Sequence, residues 1–313
     1  MYRVSQNLGT NTVLVTGASG FIGRHTLIHL AKMGFEIIAT SREKLVDKDL
    51  PQVRWIKADL LDPRSIRELV KEANATHLLH LAWYAEPGKY WSHPSNIDWL
   101  SASLDLVRSF AEAGGQRVAF AGTCAEYDWH SGICRETSTL LKPDSLYGAS
   151  KLSLFKSWQL LQKHFGISGA WCRIFFQYGP YERESRLIPY VTNQLLKGAV
   201  ANVSAGNLTR NMMHVDDLAN ALTTILSSSH EGPINVASKR TVTIREVLLR
   251  LATIIDRPEL VNFGAIQYRD NDVTRLVADT HRLTEELNFQ EKWDIDDGLR
   301  SVVDWWDNQN KRL

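Results

Sequence analysis

The sequence predicts an α/β fold: a doubly wound parallel sheet with helices on both faces, joined to a smaller, discontinuous C-terminal substrate lobe. Three observations carry that expectation. Short β-rich runs alternate with helical patterns through the first half of the 313 residues. Those runs are nearly continuous in apolar residues, as strands covered on both faces are. The regularity weakens after Gly179-Pro180, with no repeat, low-complexity tract or long Pro/Gly linker to mark an independent second domain.

The first strand spans Thr12 to Thr16 around Val13-Leu14-Val15. Glu36 to Thr40, Val53 to Lys57, His77 to Ala82, Val118 to Gly122 and Gly169 to Phe175 give five more. Between them, Ile22 to Met33 and Pro63 to Glu72 repeat apolar residues at three- and four-residue spacing, the period of a helix with one buried face. Right-handed crossovers between parallel strands then wind helices onto both sides of the sheet. A helix is also expected from Tyr147 through Phe165. In the later part Arg186 to Lys197 reads as a helix, and His214-Val215-Asp216-Asp217 opens another that runs through Leu226. Ile234-Asn235-Val236 is one more strand, and Ile244 to Ile255 and Thr280 to Leu287 are further helices.

Composition narrows the function without choosing it. A hydrophobic fraction of 44% and a charged fraction of 23% are those of an ordinary globular protein. A formal net charge of +1 gives no electrostatic reason to expect nucleic acid or an anionic membrane as partner. The start, Met1-Tyr2-Arg3-Val4-Ser5-Gln6, lacks the apolar core of a signal peptide, and no apolar run is long enough to span a bilayer. Cys124, Cys134 and Cys172 are odd in number and without metal-ligand spacing, which suits reduced thiols in a cytoplasm. The ten histidines are scattered, so no metal site is expected.

The most informative stretch is Thr16-Gly17-Ala18-Ser19-Gly20-Phe21-Ile22-Gly23, a glycine-rich turn between the first strand and its helix. A helix N-terminus offers unpaired N–H groups and partial positive charge, which suit a pyrophosphate. Gly17 permits the tight turn, Gly20 lets phosphate approach the backbone, and Gly23 lets helix and strand pack closely. The alternative is a small-residue loop with no ligand. The second strand leads into Ser41-Arg42, where an NAD site normally has an acidic residue for the ribose hydroxyls. A hydroxyl and a guanidinium, with Lys44 nearby, suit the 2′-phosphate of NADP instead. An ordinary solvated arginine is the other reading. Asp59 in Ala58-Asp59-Leu60 fits either an acceptor for the adenine amino group or a cap for the helix opening at Pro63.

Tyr147 and Lys151 lie four apart on a predicted helix and so share a face. A free phenol has a pKa of about 10, and bringing it near 7 takes roughly 4 kcal/mol. A neighbouring ammonium and an oxidised nicotinamide supply that in a dry cleft, so that the phenol exchanges a proton with a carbonyl or alcohol oxygen. Lys151 also has the reach to hold the nicotinamide ribose.

On these residues the chain resembles the extended short-chain dehydrogenases/reductases, in the NAD(P)-dependent nucleotide-sugar epimerase/dehydratase group. The glycine turn, Asp59-Leu60, His80-Leu81-Ala82, Tyr147-x-x-x-Lys151, Arg173 to Pro180, and Arg210 with His214-Val215-Asp216-Asp217 carry the resemblance over nearly the whole length. It implies a Rossmann-like NADP-binding domain over residues 1–178 plus about 211–238, and a nucleotide-sugar-binding lobe over 179–210 plus 239–313. It adds Ser19, Phe21, Ile22, Leu60, Leu81, Ala82 and Ile174 to the cofactor site. It makes Thr123 the third catalytic residue, four places before Tyr127. It also implies a homodimer through a four-helix bundle built from Asp98 to Ala113 and Tyr147 to Phe165.

The departures sort the chemistry. Dehydratases of the group carry Asp-Glu directly after the catalytic Thr, where this chain has Cys124-Ala125, and Glu126 stands one position too late. Epimerase/reductases that invert carbons beside a keto group use a Cys two places after the Ser, where Ala125 stands. Phe176 replaces a substrate-contacting Asn of the group, which suggests a less polar sugar patch. Trp83 and Tyr84 are candidates to pack on a sugar or base, with core packing or a dimer interface as the alternative. Arg210 and Arg269 match positions that clamp the diphosphate, or are surface ion-pair partners. The preferred expectation is an NADPH-dependent reductase of a nucleotide-linked 4-keto-6-deoxy sugar serving surface polysaccharide synthesis, with Tyr147 as general acid. An NAD-dependent nucleotide-sugar 4-epimerase is the alternative, and a non-catalytic NADP sensor the second.

Overall fold

The computed structural model describes residues 11–43, 50–268 and 272–311. Lys44 and Arg269 therefore lie outside the described residues. Seven parallel strands form the central sheet: β1 (Thr12–Thr16), β2 (Glu36–Ser41), β3 (Arg54–Lys57), β4 (His77–His80), β5 (Arg117–Thr123), β6 (Ser168–Ile174) and β7 (Gly232–Val236). Their spatial order is β7-β6-β5-β4-β1-β2-β3. β1 pairs with β2 through Val13↔Ile37 and with β4 through Val13↔His77, so the winding reverses at β1. Ligands of open α/β sheets bind in the crevice outside the carboxyl ends at such a reversal.

Eight α-helices complete the described chain: α1 (Phe21–Lys32), α2 (Pro63–Ala73), α3 (Ser95–Glu112), α4 (Leu146–Phe165), α5 (Leu187–Leu196), α6 (Val215–Ser227), α7 (Ile244–Ile255) and α8 (Ile295–Asn310). Alternation along each strand divides the core. Val13 and Val15 point to the side of α1 and α6, where they meet Leu27, Leu30, Leu222 and Ile225. Leu14 points to the side of α2, α3 and α4, among Leu69, Leu106, Phe110 and Trp158. A third core, including Tyr178, Ile188, Val191, Val247, Leu251, Leu299 and Val302, joins α5, α7 and α8. Among the described residues no helix is long and apolar enough to cross a membrane.

Four readings from the sequence change. β4 stops at His80: Leu81 N–H makes the last ladder bond, to the Thr16 carbonyl, and the partner strand β1 ends there, turning at Gly17. Thr280 to Leu287 shrinks to a single π-helical turn, Arg282–Glu286. α8 was not anticipated, although its signal is present: Asp294 accepts from the N–H groups of Asp296 and Asp297, and Leu299, Val302 and Trp306 follow at helical spacing. Asp59 is not the cap of α2. Asp62 fills that place, accepting from Arg64 N–H just before Pro63.

Candidate active site

The glycine turn has the shape its sequence requires. Gly17 sits at φ +68°, and a Cβ there would come within 2.8 Å of Ala82 N at the end of β4. A Cβ on Gly23 would stand 2.1 Å from the Gly17 carbonyl oxygen, so only glycine lets α1 start this close to β1. Gly20 is the extended N-cap, and no side chain accepts from the first turn of α1. Ser19 and Gly20 are exposed. This cradle of open N–H groups fits a dinucleotide pyrophosphate. Ile22 borders the central cleft, whereas the Ser19 carbonyl already accepts from Arg24 Nη2 at 3.1 Å.

The rest of the expected cofactor wall is mixed. The Ser41 hydroxyl donates to the Glu43 carbonyl, leaving the exposed Arg42 as the open group past β2. Asp59 is exposed and takes Leu61 N–H at 3.0 Å on one carboxylate oxygen. Leu60 and Ala82 are buried, whereas Leu81 and Ile174 border the cleft. Among the described residues no group of His, Cys, Asp and Glu forms a metal site.

Behind the turn, hydrogen-bond chemistry fixes one tautomer. Ser103 Oγ donates to the Trp99 carbonyl at 2.6 Å, so it accepts from His80 Nε2 at 2.9 Å. His80 Nδ1 then accepts from Thr16 Oγ1 at 2.7 Å, and Thr16 Oγ1 accepts the N–H groups of Leu81 and Ala82, both at 3.2 Å. Burial, with the Lys151 charge adding to it, pushes His80 down to about 3 and keeps the ring neutral. The relay locks the crevice between β1 and β4.

Thr123, Tyr147 and Lys151 all border one cleft of about 1190 Å³. β5 delivers Thr123 at its last residue, and α4 delivers Tyr147 and Lys151 from its first two turns. Thr123 caps a short turn, accepting Ala125 N–H at 3.2 Å, and it shares the cleft wall with the Tyr147 phenol, whose ionisation its hydroxyl favours. The Tyr147 ring lies in an aromatic corner, with Tyr90, Trp91 and Trp83 ring centroids at 4.9, 5.9 and 6.4 Å. Its backbone N–H donates to the Trp91 carbonyl at 3.0 Å, which ties α4 to the aromatic loop. Lys151 Nζ donates to the Ala121 carbonyl at 2.7 Å and stands 3.9 Å above the Trp83 ring.

The electrostatics differ from the sequence expectation. Burial, followed by Tyr90, raises the Tyr147 phenol above its ordinary range, and the Thr123 hydroxyl alone among the leading influences lowers it. The Lys151 ammonium is directed at Ala121 and Trp83 instead. Burial draws Lys151 itself down to about 7, against the pull of Glu126. The geometry thus gives a protonated phenol and a lysine poised near neutrality.

Of the expected substrate contacts, Trp83, Phe176 and Arg210 border the cleft. The Arg210 guanidinium donates to the carbonyls of Thr209 and Val273, at 2.8 and 3.0 Å, and lies 5.2 Å over Phe176. Tyr84 does not reach the cleft: its ring packs on His93, with centroids 4.4 Å apart, while its neighbours Trp83 and Ala85 line the cleft. Arg269 lies outside the described residues. Sequence reasoning missed Trp129, Glu182 and Arg186 on the lining. Glu182 has one buried oxygen without a partner, and burial raises its carboxyl to about 8. The signal of Glu182 and Arg186, a charged run before an apolar helix, is one that most solvated surfaces share.

Residues 13–237 match the family model described as the NAD dependent epimerase/dehydratase family. A UDP-glucose 4-epimerase of Rhizobium meliloti is 24% identical, covering 96% of this chain and 98% of that protein. A CDP-abequose synthase of Salmonella typhimurium is 25% identical over 93% of this chain and 97% of its own. The structure of Thermus thermophilus UDP-glucose 4-epimerase in complex with NAD superposes with a TM-score of 0.81 at 24% identity, covering 95% and 99% of the two chains. The chain therefore belongs to the NAD dependent epimerase/dehydratase family, as an oxidoreductase-type enzyme of the nucleotide-sugar group.

Proposed function

We propose that the protein is a nucleotide-sugar 4-epimerase, oxidising and re-reducing one carbon of a nucleoside diphosphate sugar. One observation carries this reading: Thr123, Tyr147 and Lys151 converge on a single cleft in which Cys124 and Ala125 provide no second acid and base. The Cys124 thiol is held above its ordinary range by burial and is no substitute. The full-length similarity to 4-epimerases supports it over the reductase preferred from sequence.

A bound nicotinamide dinucleotide supplies the hydride acceptor and donor. Tyr147 takes the proton of the sugar hydroxyl in one direction and returns it in the other. Thr123, on the same cleft wall as that phenol, holds the reacting oxygen in line. Lys151 is the cation for the cofactor ribose. Arg186 and Arg210 are the cations available to the diphosphate. A cleft of about 1190 Å³ exceeds one sugar ring and leaves room for the oxidised sugar to turn its other face. In this reading residues 1–178 plus about 211–238 hold the dinucleotide and the remainder holds the sugar nucleotide. The exposed Ile97 on α3 and Leu160 on α4 support a homodimer through a four-helix bundle.

The second reading is the NADPH-dependent 4-keto sugar reductase, favoured by Arg42 standing open where an NAD site has a carboxylate. Nicotinamide absorbance separates the two with a panel of UDP-, dTDP- and CDP-linked sugars. Epimer interconversion without net cofactor change supports the epimerase, and stoichiometric NADPH loss with a keto sugar establishes the reductase. Tyr147→Phe is expected to lower kcat by about 10²–10⁴-fold with the fold intact. Turnover within a few-fold of wild type removes the phenol from the mechanism.

A further inference from the structure

Glu126 is fully buried and does not border the cleft, so it is not a displaced acid for elimination. Three groups donate to its carboxylate from below the cleft floor. Thr123 N–H reaches Oε1 at 2.8 Å, Trp171 Nε1 reaches both oxygens at 2.8 and 3.0 Å, and Arg173 Nε reaches Oε2 at 2.8 Å. Arg173 is itself fully buried, and its Nη1 donates to the Tyr127 hydroxyl at 3.0 Å, which donates on to Asn235 Oδ1 at 2.8 Å. Gly122 makes the room: a Cβ there would stand 2.3 Å from Trp171 Nε1 and 2.9 Å from Glu126 Oε1.

Burying such a pair costs several kcal/mol in lost hydration for each ion, and a three-residue turn needs no ion pair to form. Two consequences lie at the reacting groups. Thr123 is held at both ends, since Glu126 takes its N–H while its own Oγ1 takes Ala125 N–H. Its hydroxyl therefore has one setting against the phenol. Lys151 Nζ bonds the Ala121 carbonyl at 2.7 Å, and Glu126 Oε1 lies against the next residue, where it would stand 2.9 Å from a Cβ on Gly122; burial draws the amine down to about 7, and Glu126 is the carboxylate that opposes this. The other titratable groups facing that amine give it no counter-charge: His80 from β4 is neutral, Tyr147 from α4 is a phenol, and Arg173 behind Glu126 is a cation.

We propose that Glu126 is a positioning residue of this active site, holding the Thr123 hydroxyl toward the phenol and supplying the counter-charge of the Lys151 ammonium from beneath the cleft. The inference rests on the roles given to Thr123, Tyr147 and Lys151 above.

The test compares wild type, Glu126→Gln, and Glu126→Gln combined with Arg173→Met, which removes the orphaned cation should the single variant fold poorly. Lys151 is read without turnover, by trace acetylation across pH followed by mass spectrometry. Its titration midpoint is expected to fall by about one unit or more in either variant. With substrate, kcat near neutral pH is expected to fall about tenfold or more while KM stays within about twofold, a loss the double variant does not recover even where it restores the melting temperature. An unmoved Lys151 midpoint, or a double variant with wild-type kcat, overturns the proposal and leaves the pair a packing device. If wild type converts no nucleotide sugar, the functional reading fails separately, while the acetylation midpoint still judges Glu126.

Discussion

Arg42 stands exposed just past β2, while the neighbouring Ser41 hydroxyl is tied to the Glu43 backbone. A guanidinium there matches a 2′-phosphate by charge and geometry. Arg42→Ala is accordingly expected to weaken NADP binding about tenfold or more while changing NAD binding little, as read by fluorescence titration with each dinucleotide. Equal losses for the two refute a phosphate contact. Local spacing was enough to put Tyr147 and Lys151 on one helix face, and the resemblance singled out Thr123 at a strand end; the structure brings all three to one cleft. The direction of Tyr84 was not legible, because a loop offers no fixed period from which to tell which of two adjacent aromatic residues turns inward. The environment of Lys151 was also hidden, since Trp83 and Ala121 reach it from other elements.

At the level of elements, the glycine turn and the end of β4 form one unit. Gly17 lies against Ala82, and Thr16 joins both strands to His80. His80 closes β4, and its two ring nitrogens join Thr16 to Ser103. The folded ring titrates at about 3 against an ordinary value of 6.5, so the unfolded chain binds the extra proton in between. The stability this neutral histidine contributes is complete above about pH 6.5 and is lost as pH falls toward 3. Denaturant unfolding at several pH values is expected to show that acid loss in wild type, and a flatter profile in His80→Gln, which starts less stable at neutral pH. Parallel profiles place the acid sensitivity elsewhere. Element boundaries failed where tertiary contact overrode local pattern: Thr280 to Leu287 has apolar spacing, yet only a π-helical turn forms, with Leu283 and Phe289 buried against the sheet.

For the whole molecule, α3 and α4 cover one face of the sheet and still present Ile97 and Leu160 to solvent, 50% and 70% exposed. Both side chains would be covered in the four-helix bundle proposed above. Light scattering is expected to give twice the chain mass for wild type and one chain mass for Leu160→Glu; a monomeric wild type ends the bundle assignment. Considered alone, the amino-acid order determined the alternation of strands and helices, the tight glycine turn and the shared helix face of Tyr147 and Lys151, because periodicity and backbone permissiveness are local properties. Only the tertiary structure decided that Glu126 lies under the reacting groups and not among them, that Arg186 and Glu182 join the cleft, and that the Lys151 amine titrates near neutrality. Desolvation and counter-charge are set by neighbours distant in sequence, as Arg173 is from Glu126, and these meet only when the chain has folded.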